Sequence, residues 1–160
     1  MGEKAIQDLY GEWCSHCYGC GRLNENGLQI KSFWEGDTCV CRFTPRPYHT
    51  AIPGFVYGGL LASLVDCHST GTAAAAAFRA AGAQPGTEAD FRFVTASLHV
   101  DYLKPTPLGP EITLVSRPVE VKGKKVVVET DVLVQGQTCA KGRVVAVMAP
   151  DSMKINKSSK

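Results

Sequence analysis

Apolar and polar residues alternate in several short runs of this chain, and in one long run the apolar residues recur at helical spacing instead. LQIKSFW (28–34) and TCVCRF (38–43) read as two strands around the turn EGD. TPRPYHTAIPG is a loop, broken by Pro45, Pro47 and Pro53. From Leu60 to about Ala81 there is no proline, and Leu61, Leu64, Val65, His68, Thr72 and Ala75 mark one face of a helix. In FRFVTASLHVDYL, Val94, Ala96, Leu98, Val100 and Tyr102 alternate with Thr95, Ser97, His99 and Asp101, as in a strand. KPTPLGP turns the chain. EITLVSRPVEV, KKVVVETDVLV and TCAKGRVVAVM follow, joined by the short turns KG and QGQ, which predicts an antiparallel meander. One long helix against such a sheet is an α+β layer pair.

The ends carry weaker patterns. EKAIQDLYGEW reads as a short helix inside a cysteine-bearing lead-in, residues 1–24. Residues 25–150 make the domain, and residues 151–160 read as a frayed polar tail. A chain of 160 residues suits one domain with a real core.

Charge narrows the class of partner. The formal net charge is +2, with lysines and arginines scattered, which argues against nucleic acid. There is no basic N-terminal cluster leading into an apolar run, and no stretch of eighteen apolar residues. The expectation is a cytoplasmic protein without a membrane partner. Seven cysteines without an export signal do not suggest a disulfide framework.

The candidate chemistry lies on the helix. At about 100° per residue, Gly59, Ala62, Ser63, Asp66, Thr70 and Ala73 share one side, away from the Leu61–Leu64–Val65–His68–Thr72 stripe. That side is a strip of small residues with one acid. Gly58 and Gly59 stand at the predicted N-terminus, where free N–H groups and the helix dipole favour an oxyanion. The plainer reading is a tight turn and a solvated surface acid.

PGFVYGGLLASLVD (53–66) resembles the signature of the hotdog-fold acyl-CoA thioesterases, in their phenylacetic-acid-degradation-type (PaaI-like) branch: P-G-x-x-H-G-G, six residues, then an acid. CYGCGRLNENGLQI, FTPRPYHTAIPG, DYLKPTPLG and EVKGKKVVVETDVL resemble other parts of the family pattern. The resemblance implies a hotdog fold, a long central helix wrapped by a curved antiparallel sheet of about six strands. It implies hydrolysis of an acyl-CoA thioester without a cofactor, coenzyme A being part of the substrate. Asp66 would be the nucleophile or general base, the Gly58 N–H the oxyanion donor, and Thr95 the hydroxyl that places the attacking water. Tyr57, Gly59, His49, Ser63 and Thr70 would contact substrate. The family's dimers imply a homodimer, with pairing into a tetramer as a further step.

The chain departs from the pattern at Tyr57, where the family has histidine, and at Ala51, where some relatives carry Asn or Gln. These departures support a rival, a non-catalytic acyl-CoA-binding protein on the same fold. A hydratase would need an Asp/His loop–helix motif that the chain lacks. Cys14, His16, Cys17 and Cys20 look like a metal knuckle, but no second Cys/His cluster completes it, so no metal is expected. Cys67 reads as a small apolar filler, and His68 as packed and hydrogen-bonded. His99 reads as a sheet-face residue. Lys122, Lys124 and Lys125 read as a solvated hairpin, against a contact with coenzyme A phosphates.

Overall fold

β1 (Ser32–Glu35) and β2 (Thr38–Phe43) form the expected hairpin, and α1 (Gly58–Ala80) follows the proline-broken loop. β3 (Phe93–Tyr102), β4 (Ile112–Lys122), β5 (Lys125–Val134) and β6 (Gln137–Met148) complete the chain's regular structure. This computed structural model describes residues 4–83 and 92–154. The end of AGAQPGTEAD and residues 155–160 of the expected tail lie outside the described residues; Asp151–Met153 form a 3-10 turn.

The six strands make one antiparallel sheet in the order β1-β2-β4-β5-β6-β3. The meander β4-β5-β6 turns at Gly123 (φ 58°) and Gly136 (φ 78°), both in the left-handed region that glycine enters without a Cβ clash. β3 pairs only with β6, so it is one edge of the sheet. The fold is the hotdog arrangement, with α1 lying across the sheet.

Burial explains the composition of α1. Leu61, Leu64, Val65, His68 and Thr72, the predicted stripe, are all buried. Every residue from Cys67 to Phe78 is buried, because the sheet covers one side and the lead-in the other. Alanine is what fits a helix enclosed on all sides. Where α1 meets β6 the approach is close: a Cβ on Gly142 would stand 2.3 Å from Val65 Cγ1.

Two expectations need correction. The lead-in holds two 3-10 turns, Ile6–Leu9 and Glu12–Cys14, rather than one helix. Tyr10 and Gly11 between them are extended (ψ 144° and 160°), which ends the first turn before a second can add to it. The second concerns β3. A bulge at Ala96 leaves Thr95 opposite Ala146 and Ser97 opposite Val145. Ala146 is buried towards the helix, so Thr95 faces the helix together with Leu98, Val100 and Tyr102. Simple alternation had placed it on the other face with Ser97, His99 and Asp101. A bulge inserts one residue and reverses the facing of everything before it.

Candidate active site

The bulge brings Thr95 to Asp66. The Thr95 hydroxyl donates a short hydrogen bond to Asp66 Oδ1, from strand to helix. Asp66 is half-buried, and so are Gly58, Gly59, Ala62 and Ser63, the small residues along the same helix face. A carboxylate in that position is partly desolvated yet reachable, and one of its oxygens is already fixed in direction by a donor.

The N-terminus of α1 is open. Its N-cap, Tyr57, makes no side-chain capping bond. Gly58, as the first helical residue, has an N–H with no partner in the helix. Tyr102 stands beside it: its hydroxyl donates to the Gly58 carbonyl at 2.8 Å, and a Cβ on Gly58 would stand 3.4 Å from its ring. Tyr57 folds back over Gly59, where a Cβ would come within 2.4 Å of the tyrosine ring. Gly59 therefore permits the Tyr57 ring to cover the first turn. Phe55, Val56, Gly58, Leu61, Tyr102 and Lys104 line a groove of about 330 Å³ at this end of the helix. Asp66 is not part of that lining.

The remaining predicted contacts divide. His49 lies next to the site loop: its carbonyl accepts from the Tyr57 N–H at 2.9 Å, and its Nδ1 accepts from the Arg46 N–H at 2.9 Å. Partial burial, with a smaller contribution from Arg46, holds the imidazole below its usual value. Ser63 is half-buried and donates to the Gly59 carbonyl at 2.9 Å. Thr70 does not join the site. It is buried, and its hydroxyl donates to the carbonyls of Asp66 and Cys67, the back-bonding that a mid-helix threonine adopts when it has no other partner. Ala51 is exposed and offers no polar side chain. His99 lies on the outer sheet face, 3.1 Å from Asp101.

Three thiols meet on another side of the helix. Cys67 points away from Asp66 and places its Sγ 3.8 Å from Cys17 Sγ; with Cys20 the three sulfurs lie within 4.8 Å of one another. Cys67 of α1 adds a third sulfur to the Cys17–Cys20 pair of the lead-in. It is buried in the core as expected, with two other sulfurs beside it. Hydrogen bonds from Cys20 and then Cys67 hold the Cys17 thiol well below the usual thiol range. The same sharing pushes Cys20 up to about 11 and Cys67 upward. Leu60, Leu64, Cys67, Gly71 and Ala74 recur at helical spacing as a second stripe, and in the structure Gly71 packs against Gln7 of the lead-in.

The sequence profile of the Thioesterase superfamily matches residues 53–141, more than half of the chain. The chain belongs to the thioesterase superfamily. A solved thioesterase superfamily protein from Shewanella loihica is 48% identical with a TM-score of 0.66, over 85% of this chain and 96% of that one. Acyl-coenzyme A thioesterase THEM4 of Xenopus laevis is 38% identical over 87 residues, 54% of this chain and 33% of that protein. The chain spans about one third of the length of the curated relatives it matches. The structure of smu.793 from Streptococcus mutans bound to acetyl CoA shares the fold at 21% identity, with a TM-score of 0.59 over 80% of this chain and 92% of that one. Among the described residues, no helix is long and apolar enough to cross a membrane.

Proposed function

We propose that this chain hydrolyses an acyl-CoA thioester to the free acid and coenzyme A. The observation that carries the reading is the Thr95–Asp66 hydrogen bond on the half-buried small-residue face of α1. Family membership and the acyl-CoA thioesterase named among the relatives support it.

Asp66 takes a proton from water as the water oxygen attacks the thioester carbonyl carbon, or attacks that carbon itself to give a mixed anhydride, which water then hydrolyses to the free acid and the Asp66 carboxylate. The carbonyl oxygen gains charge at the Gly58 N–H, where helix dipole and open amide favour it. The C–S bond then breaks, and coenzyme A leaves as the thiol after taking up a proton. Thr95 is a positioning residue that sets the direction of the carboxylate. Label found in Asp66 after a single turnover in heavy-oxygen water would establish the nucleophilic role, because water activated by Asp66 leaves its oxygen in the product acid.

The site spans two chains in this reading. Gly58 and Asp66 are eight residues apart, roughly 12 Å along the helix at about 1.5 Å per residue. An oxyanion donor must lie about 3 Å from the oxygen. The attacking group must lie about 3–3.5 Å from the same carbonyl. One chain cannot supply both, whereas two antiparallel helices related by a two-fold axis can. The edge strand β3, with Leu98 and Tyr102 exposed and Leu103 exposed just after it, is the surface suited to pairing.

The test is a kinetic panel of acyl-CoAs on the wild type and Asp66→Ala. Loss of a positioned base lowers kcat by about a hundredfold or more. Near-full turnover by Asp66→Ala would refute the assignment, and tight binding without turnover by the wild type would establish the non-catalytic rival. Asp66→Ala mixed and refolded with Gly58→Leu should regain part of the activity through heterodimers. No recovery despite proven subunit exchange would exclude the shared site.

A further inference from the structure

We infer that Cys17, Cys20 and Cys67 form a binding site for a thiophilic divalent cation, zinc, in which a loop of the lead-in and one residue of α1 hold the ion together. Cys17 Sγ and Cys67 Sγ stand 3.8 Å apart. A Zn–S bond of about 2.3 Å gives a ligand–ligand edge of roughly 3.8 Å in a tetrahedron. Cys20 Sγ lies within 4.8 Å of both. Two sulfurs already have the spacing of neighbouring zinc ligands, and the third closes the face.

The loop is built around the sulfurs. A Cβ on Gly19 would stand 2.3 Å from Cys67 Sγ, so glycine here lets the helix thiol reach the loop backbone. A Cβ on Gly21 would collide with Cys17 N at 2.4 Å and Ser15 O at 2.5 Å, so the loop closes on itself immediately after Cys20.

Charge fits as well. Three thiolates around Zn2+ carry a net charge of −1. The Arg92 guanidinium is near enough to Cys14, Cys17 and Cys20 to interact electrostatically with them. Its Nη1 is buried without a hydrogen-bond partner among the described residues, and its guanidinium lies 4.7 Å over the Tyr10 ring. A half-buried cation within electrostatic reach of the thiols would offset the charge of an anionic metal centre. Binding displaces one proton from each thiol to solvent, and water takes the fourth position. Three convergent sulfurs suit one ion better than a disulfide, which would join two and leave the third over.

The experiment uses the full chain, purified without a metal-affinity tag, reduced, treated with chelator and desalted. Zinc chloride alone is the probe. Elemental analysis should give one zinc per chain. Mass-spectrometric mapping of alkylation should show Cys17, Cys20 and Cys67 protected by zinc. Cys67→Ser should weaken zinc binding by more than about 100-fold, beyond what loss of an outer-shell partner causes. The wild-type alkylation map decides the matter even if that variant fails to fold. No retained zinc, zinc that protects other cysteines instead, or a Cys17–Cys67 disulfide in metal-free protein that zinc cannot prevent would each overturn the inference.

Discussion

His68 gives the fold a dependence on pH whose size follows from its surroundings. The imidazole is fully buried. Its Nε2–H donates to the Cys39 carbonyl at 3.1 Å, which leaves Nδ1 as an acceptor for the Ser32 hydroxyl at 2.8 Å. Ser32 in turn accepts from Gln7 Nε2 at 2.9 Å, and its N–H donates to Gln7 Oε1 at 2.8 Å. Every donor in this chain has an acceptor only while the ring is neutral. Burial, partly opposed by the Cys39 carbonyl, pushes the His68 pKa down to about 4. The unfolded chain titrates near 6.5. Between these values the unfolded state binds a proton that the native state does not, so stability rises with pH across the window. The contribution is complete above about pH 6.5 and is lost as pH falls towards about 4. At roughly 1.4 kcal/mol per pH unit, the loss is about 3 kcal/mol. That is a large share of the ~5–15 kcal/mol that holds a domain folded.

The assay is urea unfolding at a series of pH values, on the wild type and on His68→Gln. Glutamine offers one donor and one acceptor but does not titrate. The wild type should lose about 3 kcal/mol more than the variant between pH 7 and pH 4. Taking the difference removes the carboxylates common to both. Identical pH profiles would refute the reasoning. So would a His68 ring that titrates near 6.5 in the native wild type by NMR, a measurement that does not depend on the variant folding.

Three further predictions rest on single contacts. Thr95→Val should lower kcat for the best acyl-CoA about tenfold with little change in KM, the scale of one hydrogen bond to a charged group, while Thr95→Ser restores it; steady-state kinetics decides. Gly142→Ala should cost about 1–3 kcal/mol in urea unfolding, because the new methyl meets Val65. Most of that loss should return in the double variant with Val65→Ala. Gly19→Ala should destabilise by a similar amount and push the Cys67 sulfur away from Cys17, seen as faster alkylation of Cys67 in the metal-free protein.

The order of elements was readable because each strand is short, alternates, and ends at glycine or proline, and because the helix keeps a regular stripe. The face of Thr95 was not. A bulge leaves no mark in alternation except a shift of one, and Ala96 is as compatible with the strand as with the bulge. Only the resemblance placed Thr95 beside Asp66, and the geometry supplies the physical route. Thr70 was misplaced for a different reason. A helical wheel assigns faces as if exposure were constant along the axis, but the second half of α1 is enclosed on every side. The thiol cluster escaped because it joins residues 50 positions apart. Local spacing records only the Cys17–Cys20 half of it.

Asp66 and Cys67 are adjacent in sequence yet serve separate environments. Successive helical side chains diverge by about 100°, so one points to β3 and Thr95 while the other points to the lead-in and Cys17. The backbone between them is common to both. The Thr70 hydroxyl donates to the carbonyls of both residues, so the same side chain contacts both. An ion held by Cys67 would therefore fix the axial position of Asp66 without touching the carboxylate. Its effect on chemistry would be felt through placement: a shift of α1 along its axis moves Asp66 relative to Thr95, which is anchored in the sheet by β6. Removing the thiols should then alter the Thr95–Asp66 contact only as far as the helix itself moves. A Cys67→Ser protein whose helix stays in register should keep its turnover number while losing zinc. The proposed metal site and the proposed hydrolytic carboxylate would thus share one turn of helix, kept apart by direction alone.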